Sequence, residues 1–223
     1  MNPRIIFVET NWVVDVVAPA HLQNSQAIQL LERADAGEFQ LWVPAICLME
    51  ARKTVPRRFA PKASSDEFRK FIRWASDEGR IAPEDKAAAF RVFDQFDGLV
   101  THELTRVSER LDDLASHPGL SIFPLSEPML ERQVLIGDMD LFLNPYDLAI
   151  LAAVLVQSET LRQQNGDDWV GFCELDSDLQ PWDKRGAKRA ILSQLYDDSR
   201  VWVYGDFLLA DSDEIPEDWM TQP

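Results

Sequence analysis

The chain has 223 residues, 46% of them hydrophobic, enough for one large domain with a real core and too many for wholesale disorder. The formal charge is −16, from 22 Lys and Arg against 38 Asp and Glu, which argues against general nucleic-acid binding, since phosphate contacts want a basic surface. No apolar run approaches the roughly 18 residues of a membrane span, and the N-terminal apolar stretch is too short for a signal peptide. Cys47 and Cys173 fit neither a zinc spacing nor a disulfide framework, so buried free thiols in a reducing, cytoplasmic compartment are expected.

Residues 4 to 8 read as a buried strand that ends abruptly in Glu9-Thr10-Asn11. "LQNSQAIQLLERADAG" reads as a helix stopped by Gly37, "FQLWVP" as a second strand, and "AICLMEARKTV" as a helix ending before Pro56. Residues 56 to 65 are a loop by composition. Two helical stretches follow, near 65–78 and 83–116. "LSIFPL" is a third strand and 126–136 a helix. "NPYDLAILAAVLVQSETLRQQ" is a helix with an Asn-Pro start, and "DWVGFCELD" is a fourth strand. "KRGAKRAILSQLY" is expected to be helical despite Gly186, and "RVWVYG" is a fifth strand. This alternation predicts an α/β fold, a mostly parallel five-stranded sheet flanked by helices, as one domain over 1–209. The stretch 56–116 reads as a helical insertion or arm, and 210–223 as an acidic tail.

In such a sheet, ligands collect at the carboxyl ends of the strands. Glu9 ends the first strand, Glu50 follows the second on a helix, Asp147 opens the long apolar helix, and Asp176 and Asp178 end the fourth strand. Each except Glu9 has an ordinary explanation: a solvated helix residue for Glu50, helix-dipole stabilisation for Asp147, a turn for Asp176 and Asp178. A carboxylate directly after four core residues is costly without a partner. Gathered carboxylates repel, and a hard divalent cation, Mg²⁺ or Mn²⁺, is the usual remedy. The chemistry then implied is in-line hydrolysis of a phosphodiester.

The basic residues are not evenly spread. Arg52, Lys53, Arg57, Arg58, Lys62, Arg69, Lys70 and Arg73 lie within one stretch, and Lys184, Arg185, Lys188 and Arg189 within another. Either each cluster is a solvated helix face or both flank the carboxylates where a phosphate backbone would run. Phe68, Phe71 and Trp74 fall at helical spacing and are read as core, whereas Phe59 is read as a loop aromatic on which a base could stack.

The ordered set "IIFVETN", "VPAICLMEA", "NPYDLAILAAVL" and "ELDSDL" resembles the PIN-domain family, the metal-dependent ribonucleases that include VapC-type toxins. The likeness spans residues 4 to about 204 and leaves out 56–116. It departs at Glu9, where the family has Asp, and at Glu174, where it has Thr or Ser. The resemblance implies a PIN-like three-layer fold and a Mg²⁺- or Mn²⁺-dependent endoribonuclease, toxin-like or RNA-processing. Glu9, Asp147, Asp176 and Asp178 would bind metal, and Glu50 would complete the shell or orient the attacking water. Thr10 would hold a metal-bound water or the substrate phosphate, and Asn11 would cap the following helix. Arg52, Lys53, Arg57, Arg58, Lys184 and Arg185 would bind RNA. An inhibitory protein partner and a homodimer are also implied. The alternative is a degenerate PIN-like module that binds RNA or a protein without cutting, suggested by Glu9. A phosphatase with a first-strand Asp nucleophile is disfavoured by the same residue.

Overall fold

The computed structural model describes residues 4–61, 65–165, 169–183 and 185–209. Lys62, Lys184 and the acidic tail lie outside those residues. The elements run β1 (Ile5–Val8), α1 (Thr10–Val17), α2 (Ser25–Asp35), β2 (Gln40–Pro44), α3 (Ala45–Phe59), α4 (Ser65–Asp77), α5 (Pro83–Ala115), β3 (Leu120–Phe123), α6 (Glu127–Gly137), α7 (Pro145–Asn165), β4 (Val170–Cys173), α8 (Ala190–Asp198) and β5 (Val201–Tyr204).

All strand pairings are parallel, and the strands lie in the order β3-β2-β1-β4-β5. The sheet is flanked by eight helices among the described residues, in a three-layer α/β arrangement. Every residue of β1, β4 and β5 is buried, as expected of strands covered on both faces. Chain order runs outward from β1 in both directions, so the switch point of the topology lies between β1 and β4. The loops leaving these two strands diverge there, which is where open parallel sheets place the crevice that takes a ligand.

Several expected boundaries move for local reasons. Pro56 does not stop α3; the helix continues to Phe59, with the Ala60 amide closing on the Pro56 carbonyl at 3.2 Å. Proline costs a helix its own N–H bond and crowds the carbonyl four residues back, and buried Val55 anchors the helix just before it. Phe59 is therefore no loop aromatic: it is half-buried against the core, beneath the Arg58 guanidinium. The helix expected from residue 184 begins only at Ala190. Ahead of it the Asp183 carboxylate accepts the amides of Arg185 and Ala187, and Gly186 takes φ +77°, so side-chain capture of the backbone makes a turn instead. The aromatics read as core on α4 are not: Phe68, Phe71 and Trp74 are exposed.

No helix among the described residues is long and apolar enough to cross a membrane. Cys47 and Cys173 are free and fully buried, as expected.

Candidate active site

The register β1–β4 pairs Val8 with Cys173, so the next residues, Glu9 and Glu174, leave adjacent strand ends side by side at the switch point. Both are buried. Glu9 is the N-cap of α1: its Oε2 accepts the Asn11 amide at 2.6 Å. Asn11 is thus the capped residue and Glu9 the cap, the reverse of the expectation, because a carboxylate one residue ahead of the helix reaches its orphan amides directly. Among the described residues, Glu9 Oε1 is buried with no hydrogen-bond partner, and so is Glu174 Oε2.

Glu50 is no solvated helix residue. The Thr10 hydroxyl donates to its Oε2 at 2.6 Å, joining the start of α1 to the second turn of α3. Asp147 sits in the first turn of α7, but the opening amides of that helix go to another residue: Asn144 Oδ1 accepts from Tyr146 and Asp147 at 2.8 and 3.1 Å, while Asn144 Nδ2 donates to the Asp147 carboxylate. Asp147 is therefore not the cap, and its side chain is buried. Asp176 keeps its turn role, accepting the Asp178 amide at 2.9 Å, and Asp178 is exposed.

These carboxyls share one electrostatic environment. Burial raises Glu9 from 4.5 to about 8 against the pull of the Asn11 amide, and the charges of Asp176, Glu50 and Asp147 add to it. Asp147 is raised to about 7, first by burial and then by Asp176, Glu50 and Asp178. Glu174 is pushed well above the carboxylate range by burial and by Glu9. Asp176 and Asp147 thus act on both Glu9 and Glu174, Glu50 acts on Glu9 and Asp147, and Asp178 acts on Asp147. Glu174 was legible as a departure from a motif; its partnership with Glu9 needed the strand register.

The donors are all carboxylate oxygens, two of them buried and unpartnered, which suits a hard divalent cation. Among the described residues, no three His, Cys, Asp or Glu side chains stand grouped as a ready-made ion site, so the fit is one of donor chemistry and requires side-chain rotation.

The basic residues are mostly engaged. Arg52 pairs with Asp112, and Arg58 with Asp15 at 3.5 Å. Lys53 donates to the Tyr146 hydroxyl at 2.7 Å, beside Asp147. Arg57 and Arg185 are exposed. On α4, Arg69 reaches Asp94 and Asp97 of α5, both at 2.9 Å, and Arg73 covers Phe90. Arg189 donates to the carbonyls of Ser177, Asp178, Gln180 and Leu141, fastening the Asp176–Asp178 loop to the segment that leads into α7. That segment carries Phe142, which is 92% exposed at φ +56°, two residues before Asn144. A bulky residue held outward in left-handed backbone is strained, and such strain gathers at functional sites.

No protein-family model, curated protein or solved structure matches the chain.

Proposed function

We propose that this chain is a Mg²⁺- or Mn²⁺-dependent endoribonuclease of PIN-like type, acting at the crevice between β1 and β4. One observation carries the reading: two buried carboxylates with unpartnered oxygens lie at the topological switch point, amid four further acids. Burying like charges without a cation is costly, and a fold retains them where they bind one.

A bound divalent ion would neutralise these groups, lower the pKa of its water and offset charge on a scissile phosphate. Glu9, Asp147, Asp176 and Asp178 would hold it, with Glu174 beside Glu9. Thr10 fixes the Glu50 carboxylate, leaving it oriented to take a proton from attacking water. Asn144 holds Asp147, and Lys53 and Arg57 supply positive charge on the α3 side of the crevice. Toxin-like action and an inhibitory protein partner belong to this reading as its biological setting.

The test is cleavage of a mixed RNA pool by the purified protein with Mn²⁺, with Mg²⁺ and with EDTA, beside Asp147→Asn. Metal-dependent cutting reduced at least a hundredfold in the variant is expected, the scale of losing a preorganised charged group. Cutting that persists in EDTA would sink the reading. No cutting together with no Mn²⁺ binding would favour the second reading, a degenerate module that binds RNA or a protein without cutting, which the Glu in place of Asp at position 9 supports. Phe142→Ala is expected to weaken RNA binding about tenfold, the worth of one base–aromatic stack, with Mn²⁺ affinity unchanged by calorimetry.

A further inference from the structure

Helices α4 and α5 form an antiparallel hairpin. Arg69 meets Asp94 and Asp97, Ser65 meets Asp97, and Lys86 meets Asp77, so rising numbers on one helix face falling numbers on the other. The hairpin has almost no interior of its own. On α4 only Ser65 and Ala75 are buried, and α5 buries nothing before Val107. Helices in water draw most of their stability from an apolar face packed against something else.

That face exists and is about half exposed. Phe68, Phe71 and Trp74 on α4 and Val92, Phe96 and Leu99 on α5 are 41–64% exposed. At about 100° per residue the α4 seam centres on Arg69 and Ile72 and the α5 seam on Phe93 and Asp97. Both exposed stripes are turned to the same hand from their seams, seen from each helix's N-terminus. In an antiparallel pair, that places them on the same side of the hairpin. Phe68 also stacks on Phe93, with centroids 6.1 Å apart, joining the stripe to the seam.

We propose that this side of the α4–α5 hairpin is the interface with a second copy of the chain, two hairpins closing face to face into a four-helix bundle. Six large side chains about half exposed present on the order of 600 Å² of apolar surface per copy. That lies at the upper end of the roughly 300–600 Å² of the largest patch on a typical monomer, a size that often marks a functional surface, and approaches the ~800 Å² per partner of a stable complex before the polar rim is counted. The charges of the hairpin argue against an ionic partner. Arg69, Lys70 and Lys86 pair within it, and Arg73 and Arg80 lie over Phe90 and Trp74. An apolar surface that is its own complement under two-fold symmetry fits what remains. The inference does not depend on the chemistry of the carboxylates.

The experiment is sedimentation of the full chain at about 50 µM, in low salt and in about 1 M NaCl, beside Phe71→Glu and Leu99→Glu. A dimer that survives salt is expected, because screening weakens exposed ionic contacts and not apolar ones. Both variants are expected to be monomers with unchanged helical circular dichroism. A monomeric parent overturns the proposal, and so does a dimer that both variants retain. Should a variant fail to fold, hydrogen exchange on the parent decides: amide protection at 92–99 must rise with protein concentration, and concentration-independent exchange there overturns the interface.

Discussion

In metal-free buffer, Glu9→Gln is expected to melt well above the parent at pH 8 and close to it at pH 5. Glu9 titrates near 8 in the folded chain and near 4.5 when unfolded, so the folded state holds a proton that the unfolded state releases. A raised pKa gives stability that is present in full below about 4.5 and is lost as pH rises through about 8. Asp147, raised to about 7, and Glu174 act in the same direction. Stability of the parent should therefore fall from pH 5 to pH 9. Glutamine keeps an oxygen for the Asn11 amide and carries no charge toward Glu174. The gain at pH 8 has an upper bound on the order of 4 kcal/mol, or about 10 °C for a domain of this size. Mn²⁺ or Mg²⁺ at pH 8 should raise the parent more than the variant, since only the parent regains an ionised Glu9 with a counter-ion while both keep the other carboxylates. Equal melting of the two proteins at pH 8 without metal would sink the argument that Glu9 is buried at a cost. A parent indifferent to metal would leave that cost in place and remove the cation.

The sheet and its carboxylate edge were legible in the sequence because both rest on local signals. Four buried residues followed by Glu9, an apolar run ended by Pro44 and a helix opened at Asn144-Pro145 fix where strands stop and which acids stand beyond them. The partnership of Glu9 with Glu174 was not legible, because it depends on β1 pairing with β4 across more than 160 residues of chain. The capping roles were misread for a related reason. Glu9, Asn11, Asn144 and Asp147 are all plausible caps by type, and only backbone direction decides which side chain meets which amide. The partners of the basic clusters were not legible either. Charge runs locate positive residues but not their partners, and Arg69 and Arg189 are occupied by groups 25 or more and 9 to 48 residues away. The hairpin aromatics have helical periodicity, which marks a face without saying what covers it.

Arg189 and Arg185 separate scaffold from substrate contact, and their alanine variants should fail in different ways. The Arg189 guanidinium donates to four carbonyls drawn from two loops, so removing it leaves several acceptors unpaired and frees the segment carrying Asp176 and Asp178 from the segment entering α7. Charged hydrogen bonds of this kind place the expected loss on the order of 2–4 kcal/mol, read by urea unfolding. Arg189→Lys should recover little, because one ammonium cannot span what the planar fork spans. Arg185 is exposed, and its structural contribution is its backbone amide on Asp183, which alanine preserves. Arg185→Ala should therefore change stability by less than about 0.5 kcal/mol. If RNA crosses this edge, the same variant should lower the salt dependence of RNA binding by about one counter-ion. An Arg189→Ala protein that unfolds like the parent yet loses RNA affinity would make Arg189 a phosphate contact and return the second basic cluster to the substrate.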